Sequence, residues 1–237
     1  MPFDIGGYIY NGGIADPADY LNIITRGLVM HLDASAPSSY PTTGTTWSDI
    51  SGQSNNMTLI NGPTYNSGDG GYIQFDGTDD YTQLSTSGII NNTISVDTVI
   101  YIDSVKTYAA ILGSNITEKY EMLIKSASDL EVSLSSGNYL QWNGILTTGT
   151  YIHLCVVATS GTVWKLYKNG VDLGSPQIAS GYTVDGNSVS VIDIGRIRNQ
   201  NGFAYVGRIP NIKIYNRALS AAEVSQNFNV QRSRFGI

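Results

Sequence analysis

Charged residues and cysteine are both scarce in this sequence. Charged residues make up 14% of its 237 residues, and cysteine occurs once. A single cysteine excludes an intrachain disulfide framework, and Cys155 lies in a strand-like run where a small buried side chain is expected. No apolar run is long enough to cross a bilayer, and the first residues lack the basic and apolar regions of a secretory signal. We therefore expect a globular domain without a membrane partner.

Glycine, tyrosine and apolar residues are plentiful. The chain holds 26 Gly and 16 Tyr, and 41% of it is hydrophobic, which argues against disorder. Short alternating runs recur about every ten residues with turn signals between them; in one run Ile94, Val96, Thr98 and Ile100 share a face. This pattern predicts an all-β fold of two antiparallel sheets.

Two local signals are strong. Asn169-Gly170, between two alternating runs, predicts a hairpin with a type I′ turn. Ser220 and Glu223 form a capping box, flanked by an apolar staple of Leu219 and Val224, which predicts one short helix over 220–229 that covers an end or edge of the sandwich. A further helical turn or two is predicted near 17–23.

The charge distribution is uneven along the chain. Residues 1–105 carry a formal charge of −10, and residues 194–237 carry +6. Two interpretations stay open: the two ends of one domain neutralise each other, or the basic end docks on an acidic partner. The net charge of −6 argues against nucleic acid as the main partner.

The order of several segments resembles a known fold family. The segments are GLVMHLDAS, WSDISGQSNNMTLINGPTY, YIQFDGTDDYTQL, YIHLCVVATSGTVWKLYKNGVDLG and the closing IDIGRI…FAYVGRIPNIKIYNRALSAAEV. They are similar to the laminin-G-like jelly roll of the concanavalin A-like superfamily, over about residues 27–228. The resemblance implies a two-sheet antiparallel sandwich with a terminal capped helix, and it is greatest to versions found in tailed-bacteriophage structural proteins.

A calcium site is one expectation from this resemblance, because laminin-G-like folds often bind Ca²⁺ at one rim. Carboxylate oxygens are the ligands that Ca²⁺ prefers, and the FDGTDDY turn offers three of them, with a fourth nearby. The candidate ligands are Asp76, Asp79, Asp80 and Asp69. The alternative is an Asp-Gly turn with solvated acids.

A glycan site is a second expectation. Loop aromatics with amide neighbours are suited to stacking on a sugar ring, and the NYLQWNG segment combines both. The candidates are Trp142, Tyr139, Asn143 and Trp47, with burial of the tryptophans in the core as the alternative.

Catalysis is not predicted. The glucanases of the superfamily carry alternating acids on one strand, whereas this chain offers only the isolated pair Asp129 and Glu131 on one face. His31 and His153 are expected to be structural.

Two functions follow as hypotheses, and a glucanase-like glycoside hydrolase is kept as a distant alternative. The first is a non-enzymatic virion structural protein, a capsid- or tail-associated subunit that contacts other virion subunits or its own copies. The second is a carbohydrate-binding or adhesive module for a cell-surface glycan. The first hypothesis divides the chain into an arm, residues 1–26, and a jelly-roll domain, residues 27–237, with a basic tail. Its assembly contacts are Phe3, Tyr8, Tyr10, Tyr20, Arg232 and Arg234.

Deleting residues 1–24 is expected to leave a soluble, folded, monomeric sandwich that no longer joins particles or oligomers. The reason is that the arm lacks core periodicity, so a partner must offset its ordering entropy. Size-exclusion chromatography and an assembly assay measure the outcome. Assembly equal to that of the full chain would contradict the hypothesis and favour the lectin-like function.

Overall fold

The computed structural model describes most of the chain as two β-sheets and one α-helix. It covers residues 22–85, 89, 92–116, 119–162, 164–174, 176–179, 181–185, 189–197 and 200–237. The elements are β1 (Leu28–Asp33), β2 (Thr46–Trp47), β3 (Met57–Ile60), β4 (Thr64–Asn66), β5 (Tyr72–Asp76), β6 (Tyr81–Ser85), β7 (Thr93–Ile102), β8 (Ala109–Ser114), β9 (Glu121–Ile124), β10 (Leu130–Ser135), β11 (Asn138–Trp142), β12 (Tyr151–Thr159), β13 (Lys165–Lys168), β14 (Val171–Asp172), β15 (Ile178–Ala179), β16 (Val191–Ile194), β17 (Val206–Tyr215) and α1 (Ala221–Phe235).

The two sheets have different strand compositions. Sheet A has the order β14-β13-β12-β7-β17-β5-β4, and β1 also pairs with β17. Sheet B has the order β15-β11-β10-β9-β8-β16-β6-β3-β2. Every pair of named strands is antiparallel, and the two inner faces share one large apolar core. The predicted all-β jelly-roll sandwich with one C-terminal helix is confirmed.

The predicted hairpin joins β13 to β14. Lys168 pairs with Val171, and Asn169 and Gly170 both have positive φ, 49° and 76°. A type I′ turn requires this conformation at both central residues. The local sequence therefore sets this turn.

Helix α1 begins as predicted and ends later. The Ser220 hydroxyl accepts a hydrogen bond from the Glu223 amide, and the Ser220 amide donates one to the Glu223 carboxylate. Leu219 and Val224 are both buried. The helix continues to Phe235, beyond the predicted end at 229, and ends at Gly236 with φ of 66°. Two residues on the buried face of the helix, Asn227 and Gln231, are polar. They interrupt the apolar stripe by which an amphipathic helix is recognised in a sequence.

A buried polar layer lies between α1 and the outer face of sheet A. Lys213 on β17 pairs with Asp97 on β7 at 3.3 Å, and His153 on β12 contacts the other Asp97 oxygen at 3.1 Å. From the helix, Asn227 donates to Asp97, and Gln231 accepts from Lys213 at 3.2 Å. Burial alone would raise the pKa of the Asp97 carboxyl, but Lys213 and His153 outweigh burial and hold that pKa below its ordinary value. One face of the helix is therefore buried against sheet A.

The end of the predicted arm also contacts the helix. The Ile24 amide donates to Asn227 Oδ1 at 3.0 Å, and Gln226 donates to the Asn22 carbonyl at 2.6 Å. Residues 22–26 thus pack with the domain, so the predicted boundary at 26 is too late. Residues 1–21, with Phe3, Tyr8, Tyr10 and Tyr20, lie outside the described residues. A deletion that tests the arm without disturbing the domain ends at residue 21.

The basic C-terminal residues are part of the helix, and one of them serves the fold. Arg234 donates to both oxygens of Asp33 on β1, at 2.9 and 3.0 Å, and to the Gly71 carbonyl. Both side chains of this pair are largely buried, with 11% and 6% exposure. The prediction that Arg234 contacts another subunit is therefore wrong, because its guanidinium is committed within the chain. Arg232 is exposed, and its assembly role stays a prediction.

Among the residues described above, no helix has the length and apolar character needed to cross a bilayer.

Replacing Arg234 by Met is expected to lower the free energy of unfolding by about 3 kcal/mol, because it leaves the buried Asp33 carboxylate without its cation. Burial would raise the pKa of Asp33, but Arg234 outweighs it and holds that pKa below its ordinary value. Wild type therefore loses this stabilisation as pH falls through the folded-state pKa. The deficit of the variant should shrink below about pH 4, where the unfolded carboxyl also protonates.

Denaturant titrations from pH 7 to pH 3 measure both effects. Arg232→Met, on the same helix, is the matched control and should change the free energy of unfolding by less than about 0.5 kcal/mol. An equal effect from both variants would contradict a structural role for the Arg234 pair.

Candidate functional site

The outer face of sheet B carries polar and aromatic side chains. Strands alternate their faces, so residues next to core positions point outward. In β9, β10 and β11 the core takes Met122, Ile124, Leu130, Val132, Leu140 and Trp142. The outer face takes Glu121, Leu123, Glu131, Ser133, Tyr139 and Gln141.

The register aligns part of this face into a transverse row. Ala110 pairs with Leu123, Leu123 with Glu131, and Glu131 with Gln141. Apolar side chains from β8 and β9 therefore lie beside polar ones from β10 and β11. The row crosses four adjacent strands, so the backbone holds it rigidly.

A cavity of about 350 Å³ lies on this row. We call it the sheet B groove; its lining residues are Tyr108, Leu123, Lys125, Glu131, Tyr139, Ile197 and Phe203. Small-molecule sites usually have volumes of about 300–1,000 Å³ and combine apolar walls with a few polar groups. The groove has both properties.

Two tyrosines at the groove are unusually exposed. Tyr108 and Tyr139 are each 37% accessible, although most large apolar side chains of the described residues are buried. Tyr108 packs edge-on against Phe203, with ring centroids 6.2 Å apart. Its φ is +62°, a left-handed conformation that bulky residues rarely adopt. Strain of this kind clusters at functional sites.

An ion pair supplies the polar side of the groove. Lys125 Nζ lies 2.8 Å from Glu131 Oε2 and 4.3 Å from the centre of the Tyr108 ring. Partial burial alone would lower the pKa of Lys125, but the hydrogen bonds to Glu131 and Tyr108 outweigh burial and raise it. At neutral pH Lys125 is therefore a cation held between a carboxylate and an aromatic ring.

The predicted glycan-binding residues have different fates. Tyr139 lines the groove. Asn143, which follows β11, is not among the lining residues, and its side-chain oxygen accepts from Gln141 at 2.6 Å. Trp47 and Trp142 have no exposed surface and belong to the core. Predicting them as glycan contacts is wrong, because both face inward between the sheets.

The sequence reasoning missed Tyr108, Lys125, Phe203 and the role of Glu131. Asp129, which it grouped with Glu131, accepts from Ser126 and from the Gly144 amide and so stabilises turns. The missed residues come from separate loops and strands, and no spacing pattern connects them. The only local signal is the unusual backbone of Tyr108, which a sequence does not reveal.

A second site lies at the turn after β5. Carboxylate oxygens of Asp76, Asp79 and Asp80 all lie within 4.8 Å of one another. Ligands of one Ca²⁺ ion, each at 2.3–2.6 Å, have such separations, so the three residues fit the ion. Asp69 is not among them: its carboxylate pairs with Arg208 at 3.0 Å and accepts from Tyr151. Including Asp69 in the calcium site is wrong.

The electrostatics of this cluster also favour a cation. Burial, together with the charges of Asp76 and Asp79, raises the pKa of Asp80 above its ordinary value. Hydrogen bonds, chiefly from the Thr78 amide, lower the pKa of Asp76. Ionisation of Asp80 therefore destabilises the folded domain, and a bound cation would offset that destabilisation.

Comparisons with known proteins agree on the fold. Residues 76–225, more than half of the chain, match a laminin G family model described as the concanavalin A-like lectin/glucanases superfamily. No curated protein matches the sequence.

Several solved structures are similar. Domain 4 of AbnA, an extracellular GH43 arabinanase from Geobacillus stearothermophilus, solved in complex with arabinotriose, aligns with a TM-score of 0.63 and 18% identity over 84% of this chain and 97% of that domain. The binding domain of Paraclostridial Mosquitocidal Protein 1 gives a TM-score of 0.64 and 17% identity, covering 86% of this chain and 52% of that one. The binding domain of botulinum neurotoxin serotype D gives 0.65 and 15%, covering 88% and 53%. The chain thus spans about half the length of the toxin domains, and at these identities the likeness shows the fold.

Calcium is expected to raise the melting temperature of the wild type, and EDTA to reverse this, if the Asp76–Asp79–Asp80 cluster binds the ion. A ligand of the native state at 100 times its Kd adds about 2.7 kcal/mol. Asp80→Asn should abolish this response. In EDTA at neutral pH the variant should be at least as stable as wild type, because a carboxyl with a raised pKa loses stability as pH rises through that pKa.

Asp172→Asn, on the exposed strand β14, removes the same charge away from the cluster and should keep the calcium response. Thermal melts of the three proteins with calcium and with EDTA measure the outcome. Identical melting of the wild type with calcium and with EDTA would contradict a calcium site and support an ordinary Asp-Gly turn.

Proposed function

Because the chain belongs to the concanavalin A-like lectin/glucanases superfamily, we propose that it is a non-catalytic carbohydrate-binding module. Its ligand binds in the sheet B groove. The observation that carries this proposal is the pair of exposed tyrosines, Tyr108 and Tyr139, beside an apolar floor and a charged couple. The tyrosine rings stack on a sugar ring, and the Lys125–Glu131 ion pair binds its hydroxyl groups.

The comparison with the arabinanase domain supports this proposal. That domain is similar over nearly its whole length and was solved with an oligosaccharide. The toxin relatives are binding domains by their descriptions, which agrees with a module that recognises an external ligand. These similarities concern the fold, so the assignment to the groove depends on its own side chains.

The side chains also support a role without catalysis. Glycosidases place two carboxyl groups on opposite sides of the scissile bond. Glu131 forms an ion pair with Lys125, whereas Asp129 accepts hydrogen bonds from Ser126 and from the Gly144 amide. The two acids that the sequence singled out therefore do not form such a pair.

The virion hypothesis stays a prediction. Its main assembly residues precede residue 22 and lie outside the described residues, and of its basic pair Arg234 is committed within the fold. A carbohydrate-binding module displayed on a particle would satisfy both hypotheses. The partner that the groove favours is a cell-surface glycan.

Tyr139→Ala and Tyr108→Ala are each expected to weaken binding of a saccharide ligand at least tenfold, about 1.4 kcal/mol, because each removes an exposed aromatic contact. Isothermal titration with arabinotriose and with the hits of a glycan array measures the change. Tyr65→Ala on β4 of sheet A is the matched control and should bind as wild type does. Failure of wild type to bind any saccharide, or equal binding by all three variants, would contradict the proposal.

A further inference from the structure

The Lys125–Glu131 pair gives the sheet B groove a defined charge and hydrogen-bonding pattern. We propose that this pair makes the groove selective for neutral saccharides with hydroxyl groups on adjacent carbons, and that it excludes anionic sugars. The inference rests on the proposed function and names the ligand class of the same site. Both residues are specificity determinants rather than catalytic groups.

The charge of the groove favours a neutral ligand. The charged residues that line the groove are one cation and one anion, and they are paired at 2.8 Å. Lys125 also lies over the electron-rich face of Tyr108, 4.3 Å from the ring centre. A sugar carboxylate would have to compete with Glu131 for the ammonium and would lie beside a like charge. The pair therefore presents no net positive charge to attract an anionic ligand.

The pair also has unused hydrogen-bonding capacity. Glu131 Oε2 accepts from Lys125, and within the described part of the chain no hydrogen bond reaches Oε1. An ammonium group has three donors. On Lys125, Glu131 and Tyr108 engage two of them, which leaves one. The pair thus offers a free acceptor and a free donor side by side.

Neighbouring hydroxyls of a sugar complement this arrangement. A hydroxyl both donates and accepts, so one can donate to Glu131 Oε1 while the next accepts from Lys125. Hydroxyls on adjacent ring carbons are separated by about one hydrogen-bond length, similar to the separation of the two charged groups. A single hydroxyl would satisfy only one of them.

Both charged side chains stand on well-ordered backbone. Glu131 is only 8% exposed and stands on β10, opposite Leu123 and Gln141. Lys125 directly follows β9, and its amide donates to the Asp129 carbonyl at 2.8 Å, which closes the turn into β10. The two groups are therefore fixed before a ligand arrives, and fixed groups discriminate between ligands better than mobile ones.

Two substitutions of similar size test the proposal on a matched ligand pair, oligomers of galactose and of galacturonic acid. Wild type should bind the neutral oligomer at least about tenfold more tightly, with little dependence on salt because the pair carries no net charge. Glu131→Gln should lose about tenfold on the neutral oligomer and gain on the acidic one at low salt, because it leaves Lys125 unpaired. Lys125→Gln should also lose on the neutral oligomer but should not gain on the acidic one.

A change in the ligand provides a further test. A neutral oligomer that lacks one of two adjacent hydroxyls should bind wild type more weakly, and Lys125→Gln should reduce that difference. Thermal melts confirm that each variant is folded, and Lys125, the more exposed partner at 29%, keeps the test valid if Glu131→Gln does not fold.

The outcomes separate the two proposals. Preference of the wild type for the acidic oligomer, or an unchanged preference in both variants, overturns the ligand class while the carbohydrate-binding function stands. Absence of binding to every saccharide, neutral or acidic, overturns the function and the inference together.

Discussion

The buried Asp97–Lys213 pair is the constraint on which the arrangement of this domain depends. The two residues face each other on the central strands β7 and β17, and neither is more than 1% exposed. A buried charge is tolerated only when it is paired and its remaining hydrogen bonds are satisfied. His153, Asn227 and Gln231 complete the set, and the last two come from α1. The helix must therefore lie on this face for the sheet to be stable.

This requirement commits the two outer faces to different uses. Helix α1 seals the centre of sheet A, and the Arg234–Asp33 pair fixes its C-terminal end against β1. On sheet B, α1 covers nothing comparable, and outer-face polar residues such as Glu131 border an open groove. Tyr108 and Tyr139 at that groove are exposed, and a ligand that stacks on them would bury them. The face that is free of the helix is thus the face suited to recognition.

Much of the fold could be predicted because its signals are local. The Asn169-Gly170 turn and the Ser220–Glu223 capping box each depend on a few consecutive residues, and both form as predicted. The orientation of Trp142 could not be read in the same way, because alternation separates two faces without saying which one is the core. In NYLQWNG the polar residues next to Trp142 gave the impression of a surface segment, but Gln141 points outward and Trp142 inward.

The groove could not be predicted because its residues meet only after the sheets assemble. Tyr108, Glu131 and Phe203 come from segments far apart in sequence, and their contact depends on β8 lying between β9 and β16. The same holds for Arg234, whose charge on a basic tail gave no indication of a partner near residue 33. Of the two interpretations of the charge asymmetry, internal neutralisation is the one these pairs support, as Arg208 with Asp69 also shows.

The topology separates the scaffold from the recognition surface. Strand β17, near the C-terminus, is central in sheet A and pairs with β7, β5 and β1, so the sheet cannot close until nearly the whole chain is present. Such non-local pairing makes the domain one cooperative unit. The groove is built mainly on β8 to β11, whose neighbours along the chain are also neighbours in the sheet. Because this meander contributes no side chain to the buried Asp97–Lys213 layer, its outer residues can change without disturbing the interaction that holds the helix. Substitutions on that meander, and at Ile197 and Phe203 after β16, can therefore change the groove while the Asp97–Lys213 layer and α1 stay as they are.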